Sequence, residues 1–174
     1  PHPGAMWQAL DYPAQLAAKE AQVREALERF GEFDLSRVEL DPILPAGESH
    51  DDPAIWNYRN KLEFSFGLSD DGSLALGYHR PGHWDVIEDV DDVVLASERA
   101  NEIRRLVKAW CVERELSPYD PDEEFGFLRN LVVREGRATG QTLVRMVTSS
   151  KEPEFGFDTA GFVAALGTLD PPVD

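Results

Sequence analysis

Tyr12, Leu16, Val23, Leu27 and Phe30 fall on one helical stripe, with Lys19, Glu20, Arg24 and Glu28 off it. That spacing predicts a helix over residues 12–30. Asp11 and Pro13 suit its first turn, and Gly31 suits its C-terminal cap. Residues 33–40 read as a short strand. Residues 41–55 carry Pro42, Pro45, Pro53, Gly47 and several acids, and read as a loop. From 57 to 67 the period changes to two. Tyr58, Asn60, Leu62, Phe64 and Phe66 share one face of the expected strand, and Arg59, Lys61, Glu63 and Ser65 share the other.

Ser69-Asp70-Asp71-Gly72 predicts a hairpin turn, after which Leu74, Leu76 and Tyr78 continue the return strand. Pro81-Gly82 breaks that strand, and residues 85–89 can add a short one. Ser97 can cap a second helix running to Leu116, with Ile103, Leu106, Val107 and Trp110 inward and Pro118 and Pro121 beyond its end. Residues 126–134 and 139–148 form a second β-rich pair joined by Glu135-Gly136-Arg137. Asp158 can cap a short helix through Phe162, Val163 and Leu166, closed by Gly167. The expected fold is α+β, a mainly antiparallel sheet built from two hairpins with two long helices. Residues 1–6 have no apolar period, and Gly4-Ala5-Met6 looks like a cloning remnant. The expected domain therefore covers 7–174.

Charge complicates the reading. Asp and Glu number 33 against 17 Lys and Arg, a formal net charge of −16. Nucleic-acid binding rests on phosphate neutralisation, so such a balance argues against it at first sight. Two details soften the objection. Only four of the basic residues are Lys, the rest being Arg, the better bidentate phosphate ligand. The acids also cluster, in 48–52, 85–92 and 120–124, and leave other segments net basic. High acid with little Lys also suits a salt-rich cytoplasm. No apolar run approaches the roughly 20 residues of a membrane span. The single cysteine, Cys111, permits no internal disulfide, and a reducing cytoplasm is the expected location.

Candidate chemistry is sparse. No glycine-rich loop of the phosphate-cradling kind is present. Cys111 lies between Trp110 and Val112 in a predicted helix with no nearby histidine, which favours a buried structural thiol over a nucleophile. His79, His83 and Asp85 could hold a metal, but two loop histidines without fixed spacing are weak grounds. The acids of 85–92 lack the order of a calcium loop and read as a solvated face. The basic positions carry more. Arg59 and Lys61 are expected to point one way, and the second hairpin offers Arg129, Arg134, Arg137 and Arg145. Such forks read phosphate, and Arg planes and aromatics read unstacked bases. The competing reading is a sheet face charged merely because it meets water.

The run Trp56-Asn57-Tyr58-Arg59-Asn60-Lys61-Leu62-Glu63-Phe64 resembles the W-x-Y-R-N-K-x-x-F segment of RNA uracil-5-methyltransferases (the TrmA/RumA type). Leu76-Gly77-Tyr78-His79-Arg80, then an Asp-Val segment and a long helix, is similar to the same family. So are the hairpin Phe127-Leu128-Arg129-Asn130-Leu131-Val132-Val133-Arg134 with Thr139-Gly140-Gln141, and the helix start Asp11-Tyr12-Pro13-Ala14-Gln15-Leu16-Ala17-Ala18-Lys19. The motifs keep the family order from Trp7 to about Thr148.

The resemblance implies a central region that engages RNA beside a Rossmann-like methyltransferase domain not included in this chain. In that family a cysteine adds to C6 of an extruded uracil, C5 takes the methyl of S-adenosylmethionine, and a carboxylate base removes the C5 proton. No catalytic or cofactor residue transfers to this chain, which alone is expected to be inactive. Cys111 matches the nucleophile in neither position nor context. Some members hold an iron–sulfur cluster, with a cysteine where this chain has Asp91 and Asp92, so the cluster is expected to be absent.

The expected partners are RNA (tRNA or rRNA) and the methyltransferase domain of the same parent chain, with no membrane. The proposed RNA-facing group is Tyr58, Arg59, Asn60, Lys61, His79, Arg80, Arg129 and Asn130, with Arg59 and Lys61 on phosphate and Asn60 bracing the hairpin or the absent domain. The alternative is a scaffold packing on the methyltransferase domain through Leu62, Phe64, Phe66 and Leu74, with little RNA contact. An acidic metal-dependent hydrolase is a third reading.

Overall fold

The structure is a computed structural model describing residues 4, 5, 7–49, 51–83, 85–151, 153, 156–171 and 173. Met6 and residues 1–3, part of the expected remnant, lie outside them. The chain forms two compact units, Pro1–Trp56 and Asn57–Asp174.

The first unit is built on helix α1, Tyr12–Arg29. Proline in the first turn loses no helical hydrogen bond there, and Arg24 and Arg29 pair with Glu20 and Glu25 one turn back. Asp11 makes no capping bond through its side chain. The Tyr12 hydroxyl accepts a bond from the Ala46 N–H at 2.8 Å, so the loop is tied to the helix start. Val23 and Phe30 of the predicted stripe stay exposed. The strand expected at 33–40 does not form. Asp34 accepts bonds from both the backbone N–H and the hydroxyl of Ser36, and the Arg37 N–H returns to the Asp34 carbonyl. A local Asx turn thereby outcompetes extension.

The second unit contains the strands β1 (Lys61–Leu68), β2 (Leu74–His79), β3 (Ile87–Asp89), β4 (Leu128–Gly136) and β5 (Gln141–Thr148), with helices α2 (Glu98–Glu113) and α3 (Thr159–Leu166). The strands form one sheet in the order β3-β2-β1-β4-β5. Every strand pairing is antiparallel, in line with the expected mainly antiparallel sheet. Helix α2 covers one face. Beneath it lie Leu62, Phe64, Phe66, Leu76, Leu131 and Val133, each 6% exposed or less. Each such side chain contributes roughly 1.5–3 kcal/mol by leaving water. Ser97 caps α2 as expected, accepting from the Ala100 N–H at 3.0 Å, and its hydroxyl donates to the Glu135 carboxylate at 2.7 Å. Asp158 likewise caps α3 by accepting from the Gly161 N–H. The Phe162 ring meets Trp110 edge-on at 5.2 Å and fixes α3 against α2.

Two expectations are corrected within this unit. The strand predicted from 57 starts at Lys61. Asn57 takes a left-handed φ of 53°, and the Asn57 and Arg59 N–H groups bond to the Val94 and Leu95 carbonyls, committing 57–59 to another segment. Tyr58 and Asn60 are therefore exposed and do not continue the buried face of Leu62 and Phe64. The predicted inward set of α2 also omitted Arg104, which is 2% exposed, while Leu106 is only half-buried. Arg104 donates to the Leu76 carbonyl at 3.1 Å and the Asp91 carbonyl at 2.6 Å, with an Asp89 carboxylate oxygen at 3.7 Å. Helix and sheet are thus cross-linked by a guanidinium, and its burial pushes the Arg104 pKa down.

Candidate nucleic-acid interface

The face of the sheet turned away from α2 is set by register. Lys61 lies opposite Arg134, Glu63 opposite Val132, and Ser65 opposite Asn130. On the outer side of β4, Arg134 pairs with Leu143, Val132 with Arg145 and Asn130 with Val147. Because side chains alternate, Lys61, Glu63, Ser65, Asn130, Val132, Arg134, Leu143, Arg145 and Val147 all project from this face. A thin polar chain crosses it: the Asn130 amide donates to the Ser65 hydroxyl at 3.3 Å, and the Ser65 oxygen lies 3.3 Å from His79 Nε2. His79 and Asn130, proposed from sequence, are thus brought together through Ser65, a residue the sequence reading placed on this face without giving it a role.

The other proposed residues separate. Arg59 does not share the Lys61 side. Its guanidinium lies against the phenol of Tyr78, whose ring packs 5.4 Å from buried Phe64. Burial pushes the Tyr78 pKa up, and Arg59 opposes the shift. Arg80 is held by Glu88, its Nε donating at 2.8 Å, and by Asp70 at 3.5 Å. These partners, Glu88 first, raise its pKa. Arg129 is exposed and stacks 4.0 Å above the Tyr119 ring. Tyr58 is exposed. His83 is exposed too, and among the described residues no group of three or more His, Cys, Asp or Glu side chains gathers as a metal site.

Charge pairing distinguishes one element. In the second unit, Lys61, Arg80, Arg99, Arg104, Arg105, Lys108, Arg114 and Lys151 each have a carboxylate within 4 Å. Arg59, Arg129, Arg134, Arg137 and Arg145 have none among the described residues, and the last four lie on the β4–β5 hairpin. That hairpin, 128–148, holds four arginines and one glutamate, a net of +3 inside a chain of −16. With 33 carboxylates in the chain, four cations without an acidic partner on one ribbon form a segregated anion-attracting surface.

Cys111 is fully buried on α2, and burial pushes its thiol from the ordinary 9.0 to about 12. Iodoacetamide at pH 8 should leave the native thiol unmodified and alkylate it fully in denaturant. Alkylation of the folded chain at the rate of a free thiol contradicts that placement. Because the folded pKa is raised, this thiol's contribution to stability is complete below pH 9 and is lost between pH 9 and about 12.

S-adenosylmethionine, which the motifs imply for the parent protein, does not fit these residues. The sheet is antiparallel throughout. The left-handed glycines Gly72, Gly82, Gly126, Gly140 and Gly156 sit in turns and loops. No strand–glycine loop–helix cradle occurs among the described residues.

No protein-family model matches the chain. An uncharacterized RNA methyltransferase of Nitratidesulfovibrio vulgaris is 37% identical over 172 residues, covering 98% of this chain and 34% of that protein. A second, from Chlorobaculum tepidum, is 33% identical over 160 residues, covering 84% and 32%. Among solved structures, the Pyrococcus abyssi tRNA (uracil-54, C5)-methyltransferase in complex with S-adenosyl-L-homocysteine matches with a TM-score of 0.62 at 25% identity, over 88% of this chain and 33% of that one. The chain spans about a third of the length of these relatives. Together with the ordered motifs, these likenesses place it in the TrmA/RumA-type RNA methyltransferase family.

Proposed function

We propose that this chain is the RNA-engaging central region of an S-adenosylmethionine-dependent RNA uracil-5-methyltransferase, acting in formation of 5-methyluridine in tRNA or rRNA. The parent enzyme carries out methyl transfer elsewhere in its length, and this region alone is inactive. The observation that supports RNA engagement is the β4–β5 hairpin, with Arg129, Arg134, Arg137 and Arg145 free of acidic partners among the described residues. Arg134 and Arg145 share the open sheet face with Lys61, and a polar His79–Ser65–Asn130 chain lies beside them. Guanidinium forks hold phosphate, and the polar chain offers donors and acceptors to bases or ribose hydroxyls.

The scaffold reading rests on Leu62, Phe64, Phe66 and Leu74. The first three are 2%, 0% and 6% exposed, so they form this chain's own core rather than a docking surface. Fluorescence anisotropy of the chain with a labelled uridine-containing RNA stem-loop, repeated over a range of salt, tests the proposal. Binding that weakens linearly in log affinity against log salt is expected. Absence of binding at low salt returns the role to a scaffold.

A further inference from the structure

At the turn end of β4–β5 the sheet face opens into a cleft of about 520 Å³ whose lining includes Asn60, Lys61, Arg134, Glu135, Gln141 and Leu143. That volume falls within the range of small-ligand sites. Three features give it chemistry. First, Lys61 and Arg134 sit directly opposite across β1 and β4. The neighbouring pair is the hydrogen-bonded one, Glu135 N–H to the Asn60 carbonyl at 2.8 Å. Lys61 and Arg134 therefore occupy a non-hydrogen-bonded pair, where side chains come closest. Like charges so placed repel. Glu63 stands 3.8 Å from Lys61 and half-exposed, so it offsets little of this. An anion between the two cations removes the repulsion.

Second, Asn60 and Gln141 line the same cleft, and none of the hydrogen-bonding groups of their carboxamides is used within the described structure. A carboxamide offers a donor and an acceptor side by side, which matches the alternating acceptor and donor edge of uracil. Third, Leu143 is 54% exposed at the cleft, an apolar surface for a ring or sugar. The one carboxylate in the lining, Glu135, shares the single Ser97 hydroxyl proton between its two oxygens, at 2.7 and 2.8 Å, so it is anchored toward the α2 cap.

We infer that this cleft is a binding subsite for one unstacked ribonucleotide of the RNA, its phosphate between Lys61 and Arg134 and its base edge, preferentially uracil, on Asn60 and Gln141. The inference rests on the RNA-engaging reading and adds a defined nucleotide site to it.

The probe is uridine 5′-monophosphate, titrated into the ¹⁵N-labelled 174-residue chain and followed by amide chemical shifts, with inorganic phosphate titrated in parallel. Shifts confined to the amides around residues 60–61, 134–136 and 139–143 are expected. Arg134→Gln should weaken binding of both probes about tenfold, the effect of one charge-assisted hydrogen bond. Gln141→Ala should weaken the nucleotide severalfold and leave phosphate unchanged. Equal weakening of both by Gln141→Ala, or shifts centred elsewhere, overturns the nucleotide site. If the chain binds RNA through Arg145 while neither probe shifts the cleft, the subsite is wrong and the RNA-engaging reading stands.

Discussion

Replacing Arg134 and Arg145 together by alanine should lower affinity for a uridine-containing RNA about a hundredfold at low salt, with the fold unchanged. The two guanidinium groups project from one open sheet face, with Arg134 opposite Leu143 and Arg145 opposite Val132. Neither has a carboxylate within reach among the described residues, so neither is spent on internal pairing. Each charge-assisted bond to phosphate is worth roughly 1.5–3 kcal/mol, and a tenfold loss per arginine is the conservative end of that range. Counterion release supplies an independent signature. The slope of log affinity against log salt should become shallower by roughly 1.4, about 0.7 for each single-strand phosphate that the variant no longer neutralises. Exposed residues outside the core change stability by no more than about 0.5 kcal/mol, so the melting temperature should hold. Arg80→Ala serves as a control, because its guanidinium is already occupied by Glu88 and Asp70. If the double variant binds RNA as tightly as the parent chain, the hairpin is not the phosphate-binding surface.

Arg104→Ala should destabilise the second unit by about 3–5 kcal/mol, the cost of removing one member of a buried charged group. Its guanidinium supplies bonds to the Leu76 and Asp91 carbonyls and faces Asp89, which also accepts from the Leu76 N–H at 3.0 Å and pairs with Lys108. Truncation leaves two carbonyls without a donor and an acidic group short of one cation. Guanidinium chloride unfolding followed by circular dichroism should show a lower midpoint with an unchanged slope. A loss below about 1 kcal/mol would mean water replaces the guanidinium without penalty. RNA affinity, read at a temperature where the variant is folded, should be retained, because Arg104 lies on the α2 side of the sheet.

These two sets of arginines show what was legible in the sequence. The alternation of Leu62, Phe64 and Phe66 identified the buried face of β1, because period two survives wherever one face is covered. Helix α2 and its Ser97 cap, the first hairpin turn and α3 followed from local chemistry in the same way, whereas the second turn falls at 137–140, because Glu135 and Gly136 stay in β4. Arg104 escapes such reading although it sits at the helical spacing of Ala100, Ile103, Val107 and Cys111, because a charge on a core stripe is ordinarily read as outward. Only the carbonyls of Leu76 and Asp91, distant in sequence, make its burial tolerable. The strand expected at 33–40 failed to local competition, where the Asp34 side chain satisfied the backbone before a neighbouring strand could.

The candidate site was legible in part for a related reason. Sequence shows that Arg129, Arg134, Arg137 and Arg145 exist, but only the fold shows which arginines are neutralised. Of Arg59 and Arg80, both in motif segments, Arg80 is paired with Glu88 and Asp70, while Arg59 lies against the Tyr78 phenol with no carboxylate within 4 Å among the described residues. Gln141 and Ser65 gain interest only from register, which sets one beside Lys61 and Arg134 and links the other to His79 and Asn130.

Photo-crosslinking addresses the central claim most directly. RNA carrying 4-thiouridine, irradiated with the chain and mapped by peptide mass spectrometry, should mark peptides of β4–β5 and the adjoining start of β1, with yield falling as salt rises. Crosslinks confined to 1–56 or to the acidic 85–92 and 120–124 segments, or none above a non-binding protein control, would contradict it.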